Sequence, residues 1–450
     1  MTKRPNAKLR QALELSGMSR TEFARRVRAA ALTWGEPHIS PDATGVRRWL
    51  DGEIPRAPAP DIIADVISGE VGYRVTTYDL GLSDAPSTDR AILYNPSIAV
   101  TVEAVADLGR ADVDRRSFLA AAPFTAVAAV GPSRDWLLST LDQEPESGPR
   151  VRFEDVTAVK NMFGEFQKMD VLGGGGSGRL ILAAYVSTHV LPLLRRTYTD
   201  DVRRALCEAA SEQTYLLGWM AYDNGEHGIA QRYLVQSLRL AEESRNPALG
   251  AHVLAGMADQ ATLLGHPEEG RRLAQAGRAG LGKASPACMA DLWALEARAL
   301  ARMGQTAEAS RAVFRSEAEY ARVQGGDEAE WATFIDPAYL HGEYAVTFRD
   351  LGQGARAEEH ARQSIAHARK QNRARRGAMS HAALAVSHLQ RRDLEAAHAA
   401  GLRTLSLTTQ VKSTRAVEAV QDLQTRMQQV AGAHRLVADF TERARTLLAA

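Results

Sequence analysis

The chain has 450 residues, with 55 Lys and Arg against 54 Asp and Glu, a net charge of +1, 45% hydrophobic and 24% charged residues. That length allows two or three domains, each with its own core, and the composition is that of a globular chain, not a disordered or fibrous one. No apolar run reaches the ~20 residues needed to span a bilayer. The polar start, Met1 to Arg10, lacks the apolar core of a signal peptide. The expectation is a cytoplasmic protein with no membrane partner, and Cys207 and Cys288, far apart in apolar helical surroundings, read as buried free thiols.

The first predicted helix, Asn6 to Leu15, carries Leu9, Ala12, Leu13 and Leu15 at helical spacing and stops at Gly17. Ser19 caps a second helix from Arg20 to about Ala31, with Glu22 completing a capping box and Phe23, Ala24 and Val27 turned inward. A loop with Gly35 and Pro37 follows, and Ser40 or Asp42 caps a third helix with Pro41 near its first turn. Val46, Trp49 and Leu50 point inward, Arg47 and Arg48 outward, and Gly52 with Pro55 ends the helix. Eleven basic residues between Lys3 and Arg56 outnumber the acids there, an excess that a phosphate backbone rewards through counterion release.

The segment Thr44 to Pro55 resembles the end of the recognition helix in the phage-repressor-like (Cro/C1, or Xre) family, with Trp49, Gly52 and Pro55 matching its tryptophan, glycine and proline signature. The loop from Thr33 to Ser40 is longer than that family's short turn. The resemblance implies double-stranded DNA as partner and a homodimer on two half-sites. It also implies Asp42, Ala43, Thr44 and Arg47 facing bases, with Arg47 on guanine, and Arg48, Arg20 and Thr21 on phosphates.

Residues 1–82 thus form a helix-turn-helix domain, 83–150 a linker and helical connector, and 151–450 a repeat domain. Pro86, Ser87 and Pro96 break periodicity in the linker, and Pro145, Gly148 and Pro149 break it again before the repeats. Arg115-Arg116 followed by an apolar stretch imitates a twin-arginine export signal, but so far into the chain it reads as a short buried helix. The run Gly173 to Gly178 lacks the Lys-Ser/Thr pair of a phosphate loop and reads as a flexible joint between helices.

Five turns recur about every 40 residues, with one longer interval after Gly304: Gly225, Gly265, Gly304, Gly352 and Arg391. Five positions after each stands a small residue, Ala230, Gly270, Ala309, Ala357 and Ala396. An earlier small position holds Gly218, Ala258, Ala297 and Ala345, with Leu384 the exception, and a later one holds Ser237, Gly277, Ser316 and Ser364. The pattern resembles tetratricopeptide repeats with extra length per repeat. The fold expectation is therefore all-α, an N-terminal helix-turn-helix bundle followed by a tetratricopeptide-like α-solenoid.

The stretch from Phe166 through the glycine run to Tyr233 is similar to the C-terminal half of actinobacterial Xre-type regulators with repeat domains. The tetratricopeptide resemblance places Glu212, Tyr215, Trp219 and Tyr222, then His252 and Asp259, then Asp291, Arg298 and Arg302 along an inner groove. Tyr339, Arg349, His381 and His388 complete the set. Its mixture of aromatics and both charge signs suits a peptide, a polar small molecule or a protein partner.

No metal-protease, paired-cysteine or nucleophile-elbow motif is present, and the histidine pairs His360/His367 and His381/His388 lack ligand spacing, so no cofactor and no enzymatic activity are expected. The expected function is a sequence-specific DNA-binding transcriptional regulator with a signal-sensing repeat domain. The alternative is a repeat scaffold whose basic N-terminal bundle binds no DNA.

Overall fold

The computed structural model describes residues 5–33, 36–56, 58–71, 75, 77, 80–82, 89–92, 94, 97–113, 151–196, 198–282, 285–324 and 328–449. Lys3, Arg4, Gly35, part of the linker, the Arg115-Arg116 segment and the break before Val151 lie outside the described residues. The described residues are all-α, with no strand among them. They fall into two compact units, residues 1–90 with 106–122 and residues 91–105 with 123–450, so the expected connector is divided between the two.

The first unit holds α1 (Ala7–Leu15), α2 (Arg20–Thr33), α3 (Ala43–Leu50) and α4 (Ala59–Val71). Its core joins Leu9 and Leu13, Phe23 and Val27, Val46, Trp49 and Leu50, and Ile62, Ile63 and Ile67, each set spaced to face one side of its helix. Asn6 accepts from the Leu9 amide and donates to the carbonyls of Leu80 and Gly81, tying the end of the unit to its start. Of the two candidate caps for α3, the structure uses Asp42, whose Oδ1 accepts from the Gly45 amide at 2.7 Å. Ser19 caps α2, but the Glu22 carboxylate grips Arg25 and Arg26, not the backbone the capping box requires.

After α5 (Ile98–Val113) the second unit begins its stack with α6 (Phe153–Gly173), α7 (Arg179–Tyr185) and α8 (Leu191–Leu194). Packed helix pairs follow: α9 (Asp200–Asp223) with α10 (His227–Ser244), α11 (Pro247–Leu263) with α12 (Pro267–Leu281), and α13 (Pro286–Arg302) with α14 (Thr306–Tyr320). Then come α15 (Pro337–Asp350) with α16 (Gly354–Lys370), α17 (Ala374–Gln390) with α18 (Leu394–Thr408), and α19 (Thr414–Ala431) with α20 (Arg435–Ala449). This is a helical solenoid of consecutive pairs.

The turn inside each repeat is the same piece of backbone. Gly225, Gly265, Gly304 and Gly352 take φ between 71° and 86°, and the next amide returns to the carbonyl five residues earlier. In the fifth repeat the left-handed residue is Arg392, at φ 63°, and Asp393 makes that bond to His388. The expected register through Arg391 is therefore one residue early. Corrected, the small positions become Ala385 and Ala397, both fully buried, and Leu384 ceases to be an exception.

The later small position has a chemical role as well as a steric one. Ser237, Ser316 and Ser364 each donate to the carbonyl 26 residues back, on Ser211, Ala290 and Ala338, at 2.9, 2.5 and 2.6 Å. At Gly277 the matching carbonyl, Ala251, lies 3.4 Å from where a Cβ would sit. In these three repeats one bond thus locks the second helix onto the first.

The glycine run is packed, not a loose joint. The Gly176 amide donates to Lys412 and the Lys412 amide to Gly173, at 3.1 and 2.8 Å. A Cβ on Gly174 would stand 2.5 Å from the Lys412 carbonyl, and one on Gly175 2.4 Å from that of Met220. Thr414 donates to the Asn224 carbonyl alongside. The first helices of the solenoid therefore meet the α18–α19 turn, and the stack closes on itself.

A left-handed arginine costs about 1–2 kcal/mol that glycine does not incur, offset in part by glycine's greater freedom when unfolded. Arg392→Gly should therefore stabilise the chain by about 0.5–1 kcal/mol, read as a raised thermal unfolding midpoint. A lowered midpoint would refute the corrected register.

Candidate functional site

In the first unit, α3 buries Val46, Trp49 and Leu50 and turns Thr44, Arg47 and Arg48 to solvent, with Asp42 exposed at its start and Ala43 half-buried. Arg20 and Thr21 are exposed at the start of α2. Among the described residues Arg47 has one ion-pair contact, with Asp51 at 3.7 Å. Arg25 and Arg26 are held by Glu22, whose carboxyl they lower to about 2, and Arg26 also reaches Glu70. The acceptor capacity of Asp42 is partly spent on its own helix cap.

In the second unit most of the expected groove is interior. Glu212, Tyr215, Tyr222, His252, Asp259, Asp291, Arg298 and Tyr339 are buried, and Trp219 is half-buried. Within this set Arg298 bonds to Asp259, and beyond the set it bonds to Glu343 at 2.8 Å. Tyr339 donates to Asp291 at 2.9 Å, and Tyr215 lies 4.1 Å from the His252 ring, centroid to centroid. Arg302 and Arg349 stand apart, both on Asp350, with Arg302 exposed. His381 and His388 were placed by the slipped register: His388 is buried 3.9 Å from Glu358, and His381 lines a separate cleft. The corrected position equivalent to His252 and Asp291 is Met379, which does line the inner cavity.

Six charged residues of this interior, Asp170, Asp223, Glu343, Arg375, Arg376 and Arg415, were not among the expected groove residues. Arg376 bonds Glu343 at 3.0 Å with its guanidinium over the Tyr339 ring. Arg375 bonds both Asp170 and Asp223 at 2.7 Å. Arg415 lies over Trp219 and Tyr222 and 3.6 Å from Asp259. Asp223 also accepts from the Gly175 amide and the Ser413 hydroxyl, each at 2.9 Å. One buried network thus reaches from α6 and α9 through α11, α13 and α15 to α17 and α19.

Protonation follows from this wiring. Burial alone would raise Asp259 and Asp223, but Arg298 and Arg415 hold the first, and Arg375 and Arg415 the second, below the usual carboxylate range. Asp291 has no arginine bonded to it among the described residues, and burial pushes it up to about 8 despite the Tyr339 hydroxyl and the more distant charge of Arg376. Burial also raises Glu212 to about 8 and lowers His252 to about 3; neither ring nitrogen of His252 has a hydrogen-bond partner.

The longer interval after Gly304 has a visible use. It supplies the segment before α15, whose turn Glu330–Ala332 and following residues enter the inner surface. Trp331 stacks on His252 at 4.8 Å, and Phe334 meets Tyr339 at 5.2 Å and Trp219 at 6.4 Å. Beside Phe334 the remaining cavity, bordered by Asp170, Tyr339, Arg375 and Arg415, measures only about 50 Å³. That is far below the roughly 300–1,000 Å³ of small-molecule sites, and a peptide does not fit.

Sequence reasoning missed Arg375, Arg376 and Arg415 because each falls in the first turn of its helix, ahead of the repeat positions it tracked. The signal available was a charged pair set among small residues, Ala374 and Gly377-Ala378.

An unfolded aspartate ionises near 3.9, whereas folded Asp291 keeps its proton to about 8. Between those values the folded chain binds the extra proton, so this residue's contribution to stability falls as pH rises across the window. Asp291→Asn removes the dependence. Its thermal midpoint should gain on that of the wild type as pH goes from roughly 5 to 8; parallel curves would remove Asp291 from the account.

Comparison with known proteins gives one family match: residues 9–83 are similar to the family model described as the SP15 N-terminal domain. No curated protein matches the chain. The match spans α1 to α4 and concerns the first unit alone.

Proposed function

We propose that the chain is a sequence-specific DNA-binding transcriptional regulator, acting as a cytoplasmic homodimer, whose solenoid receives a signal or partner. The observation that supports this reading is the division of α3: Val46, Trp49 and Leu50 seal one side into the core while Thr44, Arg47 and Arg48 stand outward from a short capped helix. A helix so presented fits the major groove, where arginine pairs with the O6 and N7 of guanine. The exposed contact of Arg47 with Asp51 is worth about 0–1 kcal/mol and yields readily to a base. Arg48, Arg20 and Thr21 take the phosphates. Arg25 and Arg26, already paired with Glu22 and Glu70, contribute less.

No helix among the described residues is long and apolar enough to cross a membrane. The solenoid's part is to set the spacing or freedom of two DNA-binding units on a palindromic operator. Its inner surface is too full for a peptide in this conformation, which directs the search for a signal to other faces.

The test is crosslinked-DNA sequencing of the tagged chain, followed by titration of the recovered site. Arg47→Ala should cost about 1–3 kcal/mol and relax the preference for one base pair, while Arg48→Ala should reduce the salt slope by about one. Peaks absent in the wild type, or affinities unmoved by either change, would overturn the reading in favour of a protein-binding scaffold.

A further inference from the structure

Between α16, α17 and α18 lies an open cleft of about 590 Å³, within the range of small-molecule sites at roughly 300–1,000 Å³. Its charge is one-sided. Arg369, Arg373 and Arg403 line it, and no carboxylate is among the lining residues, although the whole chain is almost neutral. Arg369 and Arg403 are exposed, and neither has an ion-pair partner among the described residues. Arg373 is different: burial lowers its pKa, and it is held at 2.9 Å by Asp336, which stands just outside the cleft.

The remaining lining completes a recognition surface. His381 contributes a ring that burial and the charge of Arg403 keep neutral, and its Nδ1 is buried without a partner. No hydrogen-bond partner among the described residues fixes its tautomer, so the ring can offer an N–H to an anion. Asn372, Ser406 and Gln410 add polar groups, and Ile365, Ala368 and Leu407 form an apolar wall. Three guanidinia can satisfy the several oxygens of a phosphate more fully than the two of a carboxylate. The apolar wall then suits the organic body that carries it.

We infer that this cleft binds a small phosphorylated molecule, with Arg369, Arg373 and Arg403 holding the phosphate and His381 donating beside them. The site shares His381 with the expected groove and Arg373 with the border of the inner cavity, and its other lining residues belong to neither. It gives a chemistry to the signal proposed above and rests on that reading only for its regulatory meaning. Binding is measured without DNA, so failure here leaves the DNA-binding reading standing.

The experiment is calorimetric titration of the full chain with pyrophosphate and with ADP, with adenosine and citrate as controls. Both phosphates should bind, adenosine should not, and citrate should bind more weakly. Arg403→Gln and Arg369→Gln, exposed positions whose loss leaves the thermal midpoint in place, should each weaken binding about tenfold or more, as expected for a lost charge-assisted hydrogen bond. No heat at millimolar phosphate, binding indifferent to both substitutions, or citrate as tight as pyrophosphate would overturn the inference. So would displacement of ADP by a short DNA duplex whose affinity falls with Arg403→Gln, because the cleft would then be a DNA contact.

Discussion

A solenoid that closes on itself withdraws its inner face from water, and any charge placed there must be neutralised by another. This constraint governs the second unit. Asp170, Asp223, Asp259 and Glu343 meet Arg298, Arg375, Arg376 and Arg415 across seven helices, most of them far apart in sequence. Such pairs seldom add net stability over well-packed apolar residues, because desolvation consumes most of the Coulomb gain. Breaking one is another matter: removing a single partner leaves a buried charge uncompensated, at about 3–5 kcal/mol. The network therefore penalises misalignment more than it rewards formation. A helix pair stacked one residue out of register would strand a charge away from bulk solvent.

The same closure explains the packed glycines and the aromatic insert. Backbones approach within hydrogen-bond distance at Gly173, Gly176 and Lys412, which no residue with a Cβ at Gly174 or Gly175 permits. Once the ring is shut, the space at its centre must be filled, since a void lined by apolar and aromatic groups forfeits contacts on every side. Trp331 and Phe334 fill it, from the one repeat with residues to spare. His252, without a hydrogen-bond partner, is tolerated there because it stays neutral and is covered by rings on several sides. Opening this interior to a peptide means breaking the Gly176–Lys412 contact, the Asp170–Arg375 pair and the aromatic stack together.

Much of the architecture was legible in the sequence, for reasons that lie in local chemistry. Left-handed turns select glycine, so four of five turns announce themselves, and close helix packing selects Ala, Gly and Ser at fixed distances from them. The fifth turn uses Arg392, and without the glycine marker the register slipped by one. On a helix one residue is a rotation of about 100°, enough to exchange an inner face for a lateral one. Moved on by one, the places given to His381 and His388 fall to Ala382 and Leu389, both buried, and His381 lines the outer cleft instead. The closure itself was not legible, because it depends on the summed curvature of all the pairs, which no local signal carries. A run of glycines followed by arginine means looseness in an open solenoid and close contact in a shut one.

Arg373 stands where the two halves of the second unit's electrostatics meet. Its guanidinium borders both the inner cavity and the outer cleft. Its partner Asp336 caps α15 through the Tyr339 amide at 2.8 Å and also accepts from Gln371 at 2.7 Å. Asp336 is also the last residue of the insert that carries Trp331 and Phe334. An anion in the cleft competes with Asp336 for one arginine whose charge burial already disfavours. The competition is uneven in an informative way: Asp336 keeps its cap and its amide partner when Arg373 turns outward, so α15 does not unravel. What it loses is the charge that balances it beside the insert. The physical path from the cleft to the interior is therefore short, a single ion pair, and it ends on the segment that fills the ring.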